Sequence, residues 1–225
     1  MKSSSYGSYE AVAVHLWKQK VIVAAIDFLK KESVVDILDR NSGNPYHNFR
    51  HCSGVAVSAC WYALQSGCVE LDGLAPIALA GLFHDAGHSG RPLYNVPDSR
   101  NITLAVELFL KFSEENPTRN FDYCYGQEEI VKAIKSTEVQ YVDGAITFQP
   151  AVNWISEYLK DADVTQLCFR TGQELQKGLA AEMEMPFDES FRQKSLDFLR
   201  GVSLSTAPAR LTRNLFLSGA VSGIG

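Results

Sequence analysis

Apolar residues recur at the three-to-four-residue spacing of a helix along almost the whole chain, and runs that alternate like a strand are nearly absent. Residues 8–31 carry such a stripe with lysines on the opposite face, which predicts one helix. "RNSGNP" (40–45) reads as a loop. "HNFRHCSGVAVSACWYALQSG" (47–67) predicts a largely apolar helix stopping at Gly67. "LDGLAPIALAGLFHDAG" (71–87) predicts another, with Asp72 as N-cap and Pro76 in its first turn. Residues 88–99 have the Gly, Pro, Asn and Asp content of an ordered loop. Asp98 or Ser99 can then cap a helix that Pro117 ends. "GQEEIVKAIKSTEV", "AVNWISEYLKDADVTQLCFRTG", "QELQKGLAAEME" and "DESFRQKSLDFLRGV" are further helical candidates, and "VQYVDGAITF" is the one plausible β run. No repeat or linker composition divides the chain. The expectation is a single all-α domain over residues 1–225, a bundle of about eight to ten helices.

With 225 residues, 46% of them hydrophobic and 21% charged, the chain can bury a sizeable core. A formal net charge of −5 argues against nucleic acid as a partner. The five cysteines, at 52, 60, 68, 124 and 168, include no CxxC pair, so they read as reduced thiols in a cytoplasmic protein. Cys52, Cys60 and Cys68, eight apart, are expected on a core face. "MKSSSYGSYE" lacks the apolar stretch of a secretory signal, and no run of 18 apolar residues predicts a membrane span.

Four of the five histidines fall into two i, i+4 pairs, His47/His51 and His84/His88, each at a predicted helix end beside a loop. That spacing brings both side chains of a pair out on one face, roughly 6 Å apart along the axis. Asp85 adjoins the second pair, and "LKDADVTQL" (159–167) offers two more carboxylates in an apolar setting. Leu159, Ala162 and Leu167 mark the buried face; Asp163 lies next to it, and Asp161 is expected toward solvent, although either could be the ligand. A charge beside a core face is costly unless paired or metal-bound. His51, His84, Asp85 and Asp163 would form a two-imidazole, two-carboxylate set suited to Zn²⁺, Fe²⁺, Mn²⁺ or Ni²⁺. His15, beside Trp17, is expected to be packed or solvated.

"YHNFRHCSGV", "LAGLFHDAGHSG" and "KDADV", in this order over residues 46–166, resemble the HD superfamily of metal-dependent phosphohydrolases. The YHNxxH and HDxxH boxes resemble its class I cyclic-nucleotide phosphodiesterase branch, in a bacterial or phage-type form. The resemblance implies an HD-type helical bundle with two divalent ions. His51, His84, Asp85 and Asp163 match the ligands of the tighter site, and Asp85 also matches the bridge to a second ion, Mg²⁺ or Mn²⁺. His47 matches a general acid, and His88 and Glu107 match groups that hold metal-bound water. Asn101 matches an asparagine of the bacterial relatives.

The implied function is hydrolysis of a phosphodiester in a cyclic or other small nucleotide by a metal-activated water. The alternatives are a nucleotidase or triphosphohydrolase on the same scaffold, or a binding module without catalysis. A diiron oxygenase would need further histidines after His88, and the sequence has none. The chain departs from the phosphodiesterase pattern in "KSLDFL" (194–199): Phe198 stands at the base-stacking position, but Ser195 replaces the glutamine that grips a purine edge, and Gln193 is out of register. Arg210 and Arg213 could contact a substrate phosphate. The apolar, Gly/Ser-rich C-terminus is expected to dock on the domain or mediate an oligomer contact.

Overall fold

The computed structural model describes residues 8–31, 44–90, 98–117, 126–142, 145–169 and 172–219. The fold is all-α. Its helices are α1 (Tyr9–Leu16), α2 (Lys20–Leu29), α3 (Phe49–Gln65), α4 (Ala75–Phe83), α5 (Asp98–Glu115) and α6 (Gln127–Lys135). They continue with α7 (Trp154–Val164), α8 (Gly172–Glu182), α9 (Glu189–Gly201) and α10 (Ala207–Leu217). The expected β run forms a small antiparallel hairpin, β1 (Val139–Val142) with β2 (Ala145–Phe148), in which Val139 pairs with Phe148. Among the described residues no helix is long and apolar enough to cross a membrane.

α3 and α4 form the centre. From Ile77 to Phe83 every α4 side chain is buried, and α3 buries Val55, Ala56, Val57, Ala59, Cys60, Tyr62, Ala63 and Leu64. The two axes approach closely because Gly81 carries no side chain: a Cβ there would lie 2.5 Å from Ala56 Cα. α7 packs against both helices, while Phe28, Phe83, Phe109 and Phe112 fill the space between α2, α4 and α5.

Several expectations need correction. The predicted 8–31 helix is two helices, interrupted at Trp17–Gln19, with Gln19 extended. The interruption lets α1 lie on α3 and α2 on α4, which one straight rod could not do across the crossing. Asp72 does not cap α4; it sits in a 3-10 turn, Leu71–Gly73, and Leu74 precedes the helix. Of the cysteines on the eight-residue spacing, Cys52 and Cys60 are buried but Cys68, beyond the end of α3, is exposed. Cys124, "RNSG" (40–43), 91–97 and 220–225 lie outside the described residues.

The sequence pattern did not single out α10, and the aspartate expected in solvent is what starts it. Asp161 on α7 is 2% exposed, and its carboxylate accepts hydrogen bonds from Ser205 N–H (2.9 Å) and Thr206 N–H (2.6 Å). Thr206, the residue at the N-cap, makes no side-chain cap of its own, so the first turn of α10 borrows its acceptor from another helix. Arg210 donates to Leu204 O and Ser205 O, and Arg213 to Val202 O and Leu199 O. Both guanidinium groups thus close the connection between α9 and α10 rather than standing ready for a phosphate. Asp161→Ala should cost about 1–3 kcal/mol in urea unfolding, the range for losing hydrogen bonds to a buried charge. The variant should keep its capacity for metal. An unchanged unfolding midpoint would show that the carboxylate does not hold α10.

Candidate metal centre

Three helices deliver one polar cluster into the apolar centre. His51 lies in the first turn of α3, whose N-cap Asn48 accepts from Arg50 N–H and His51 N–H. His84 is the residue on which α4 ends, and Asp85 follows in the turn that leaves it. Asp163 comes from the last turn of α7. The structure brings these four side chains together: one ligand atom from each lies within 4.8 Å of all the others.

The geometry suits a cation better than a hydrogen-bonded network. His51 Nε2 stands 3.2 Å from both Asp85 Oδ2 and Asp163 Oδ1, and His84 Nε2 stands 3.1 Å from Asp85 Oδ2 and 3.8 Å from Asp163 Oδ1. Four donors tetrahedrally bound at roughly 2.1 Å from one ion would be roughly 3.4 Å apart. Despite their proximity the groups are not aligned for hydrogen bonding, and the buried Nε2 atoms of His51 and His84 are both left without a hydrogen-bond partner. His84 Nδ1 donates to Gly81 O at 2.8 Å, which fixes the tautomer whose Nε2 lone pair faces the cluster. The residues therefore fit a divalent ion, whose charge two carboxylates would balance.

Burial opposes a charge on His84, but Asp85 and Asp163 outweigh it and raise the imidazole well above its ordinary range. Burial likewise opposes ionisation of both aspartates, yet the imidazoles hold Asp85 and Asp163 below the usual carboxylate range. The side chains of His51 and His84 are fully buried, whereas those of Asp85, Asp163 and His47 are 11%, 19% and 21% exposed. The cluster accordingly opens toward solvent on the His47 and Asp163 side.

A second group, His47, His88 and Glu182, adjoins the first. His47 Nε2 is 3.9 Å from Asp85 Oδ2, and its Nδ1 is hydrogen-bonded to Glu182 Oε1. Glu182 also accepts from the backbone N–H of Tyr46 and His47, at 3.0 and 3.1 Å. Burial works against the charged form of His47, but its hydrogen bond to the Glu182 carboxylate and the other nearby carboxylates raise its pKa above the usual value. His88 stacks on His47 with centroids 3.7 Å apart and planes 20° from parallel. Burial and the neighbouring His47 push His88 down to about 3, so it is neutral, and its Nδ1 accepts from Gly90 N–H.

Glu182 is the functional candidate that sequence reasoning missed. It ends α8, which reaches the Pro45–Tyr46 backbone because Gly178 is bare there; a Cβ would lie 2.3 Å from Pro45 O. A glycine inside a helical pattern one turn before a glutamate was the available signal. Glu107, by contrast, is not brought to either cluster. It lies on the exposed stripe of α5, while Ile102, Ala105, Val106 and Phe109 turn inward. Asn101 faces the same loop as His88: its Oδ1 accepts from Ser89 N–H, and its Nδ2 donates to Asp98.

Phe198 stands apart from the histidine–aspartate cluster. With Phe148, at a ring separation of 6.2 Å, and Lys160 and Val202 it lines a half-open cavity of about 510 Å³ that none of the cluster side chains borders. Ser195 is buried and donates to Phe191 O in its own helix, which removes it as a base reader. Burial pushes the thiol of Cys52, beside His51, up to about 12, so it stays protonated and is no nucleophile at neutral pH. His15 is partly exposed and meets Gln19 Nε2 through its own Nε2. No protein-family model matches the chain, and a search of curated proteins found no significant match.

Asp85→Ala and Asp163→Ala should each abolish retention of Mn²⁺ or Zn²⁺ while leaving the helical circular dichroism intact, and Asp161→Ala should retain it. Elemental analysis decides this, and full metal content in the Asp85 variant would sink the assignment. Metal uptake should also displace the proton held on His84, so affinity should rise as pH rises. Titration calorimetry in two buffers of different ionisation enthalpy would read the released proton; identical heats in both would contradict it.

Proposed function

We propose that the chain is an HD-type metal-dependent phosphohydrolase that cleaves a phosphodiester bond in a small nucleotide, in line with the motif resemblance. The single observation that carries the reading is the His47–Glu182 pair, set at the open side of a buried two-histidine, two-aspartate cluster. His51, His84, Asp85 and Asp163 would hold a divalent ion, which would supply Lewis-acid polarisation of a phosphoryl oxygen and a water of lowered pKa.

The chain's own contribution is the proton. Glu182 occupies Nδ1 of His47 and directs the Nε2–H toward the cluster. Its negative charge favours the protonated ring, so His47 can deliver that proton to a departing alkoxide. His88, neutral beneath the ring, adds no competing charge. An alkoxide is the leaving group that most needs an acid, and it departs in the nucleotidase and triphosphohydrolase alternatives as well, so the diester is preferred on the motif resemblance. The free cysteines Cys52, Cys60, Cys68 and Cys168 support a reducing, cytoplasmic setting for the reaction.

His47→Asn should keep the metals and lower turnover of an alkyl phosphodiester by about 10²–10⁴-fold. The loss should shrink for a nitrophenyl ester, whose leaving group needs no proton; equal losses on both would exclude the acid role. Glu182→Gln tests the pH dependence. An acid whose pKa is raised in the folded protein is active below that pKa and is lost as pH climbs through it. Removing the Glu182 charge should therefore move the alkaline limb of the rate profile to lower pH, and an unmoved limb would disconnect Glu182 from the acid.

A further inference from the structure

We propose that Asn44 is a positioning residue for the acid: its side-chain amide ties the backbone of His47 to that of His88 and so holds the stacked imidazoles at the edge of the metal cluster. The proposal rests on the acid role of His47. His47 and His88 come from different loops, one leading into α3 and the other leaving α4, while Glu182 comes from α8. The α3–α4 crossing lies more than one helical turn below His47, so it does not by itself set the distance between these loops.

Asn44 spans them. Its Nδ2 donates one proton to His47 O at 3.1 Å and the other to His88 O at 2.8 Å. A carboxamide nitrogen has two protons to give, and both are used. Asn44 O in turn accepts from Nδ2 of Asn48, the residue that caps α3 ahead of His51. The amide thus connects the acid to the ring beneath it, and the Asn44 backbone joins both to the helix that carries His51. The stack is 3.7 Å deep, so a shift of either loop would change where His47 Nε2 stands relative to Asp85. A misplacement of about 1 Å can cost on the order of 10²-fold in rate.

Asn44→Asp is the discriminating variant, because a carboxylate keeps the shape but has no proton to donate. Should it fail to fold, Asn44→Ala removes the donors without adding charge. The variant should retain metal content, lose about 10–100-fold in kcat on an alkyl phosphodiester, and lose less on the nitrophenyl ester. It should add nothing to His47→Asn in the double variant, since both act through one proton transfer. In the chelated, metal-free protein, imidazole ¹H–¹⁵N spectra should show His47 and His88 shifted and His51 and His84 unmoved.

Additive losses in the double variant, lost metal, or unshifted His47 and His88 resonances would overturn the proposal. If His47→Asn alone slows both esters equally, the acid reading fails. The spectra then still decide whether Asn44 holds the stack.

Discussion

Two helices cannot approach to backbone contact unless a side chain is missing, and the site depends on the place where one is. Ala56 on α3 meets Gly81 on α4. His51 precedes Ala56 by five residues and His84 follows Gly81 by three, so each imidazole leaves its helix within about a turn and a half of the crossing. The crossing therefore determines the separation of the two rings, whose centroids are 5.2 Å apart. α7 then needs only to bring one carboxylate to a gap already formed. A bulkier residue at Gly81 would part the axes, and the loss would appear at the imidazoles as well as in core packing.

The two adjoining polar groups are built differently, although each combines two histidines with one or two carboxylates. In the His51–His84–Asp85–Asp163 group the ligand atoms converge and the buried Nε2 atoms of both imidazoles lack hydrogen-bond partners. In the His47–His88–Glu182 group the imidazole planes are stacked 20° from parallel, so the two rings do not aim at one point. Glu182 moreover is already engaged by Nδ1 of His47 and two backbone amides. Convergent lone pairs suit an ion; a stacked ring with its far nitrogen held by a carboxylate suits proton transfer.

The helical architecture, the hairpin and the two histidine pairs were legible because each is a matter of short-range spacing. Periods of 3.6 and 2, and an i, i+4 pair at a helix end, are visible within a dozen residues. Glu182 and Asn44 were not legible, since their roles arise from contacts 135 and 44 residues away along the chain. The "DAD" run shows the boundary well. Asp161 and Asp163 are about 200° apart around α7, so one faces the histidines and the other the amides that open α10. Both are placed against polar partners in the interior, and apolar periodicity alone assigns a buried carboxylate to solvent. α10 escaped for the same reason: its cap is on another helix. The break between α1 and α2 answers to the surface beneath it, which local composition does not encode.

The last turn of α7 thus faces two ways, with one carboxylate among the imidazoles and the other under the start of the C-terminal helix. Elements that must be ordered together share whatever free energy orders either of them. An ion bound to Asp163 would then slow the local opening of α10, although no atom of that helix belongs to the cluster. Amide exchange in residues 205–217 becomes a remote gauge of occupancy at the opposite face of α7. The C-terminal helix of this fold would report, in its own fraying, whether the centre is filled.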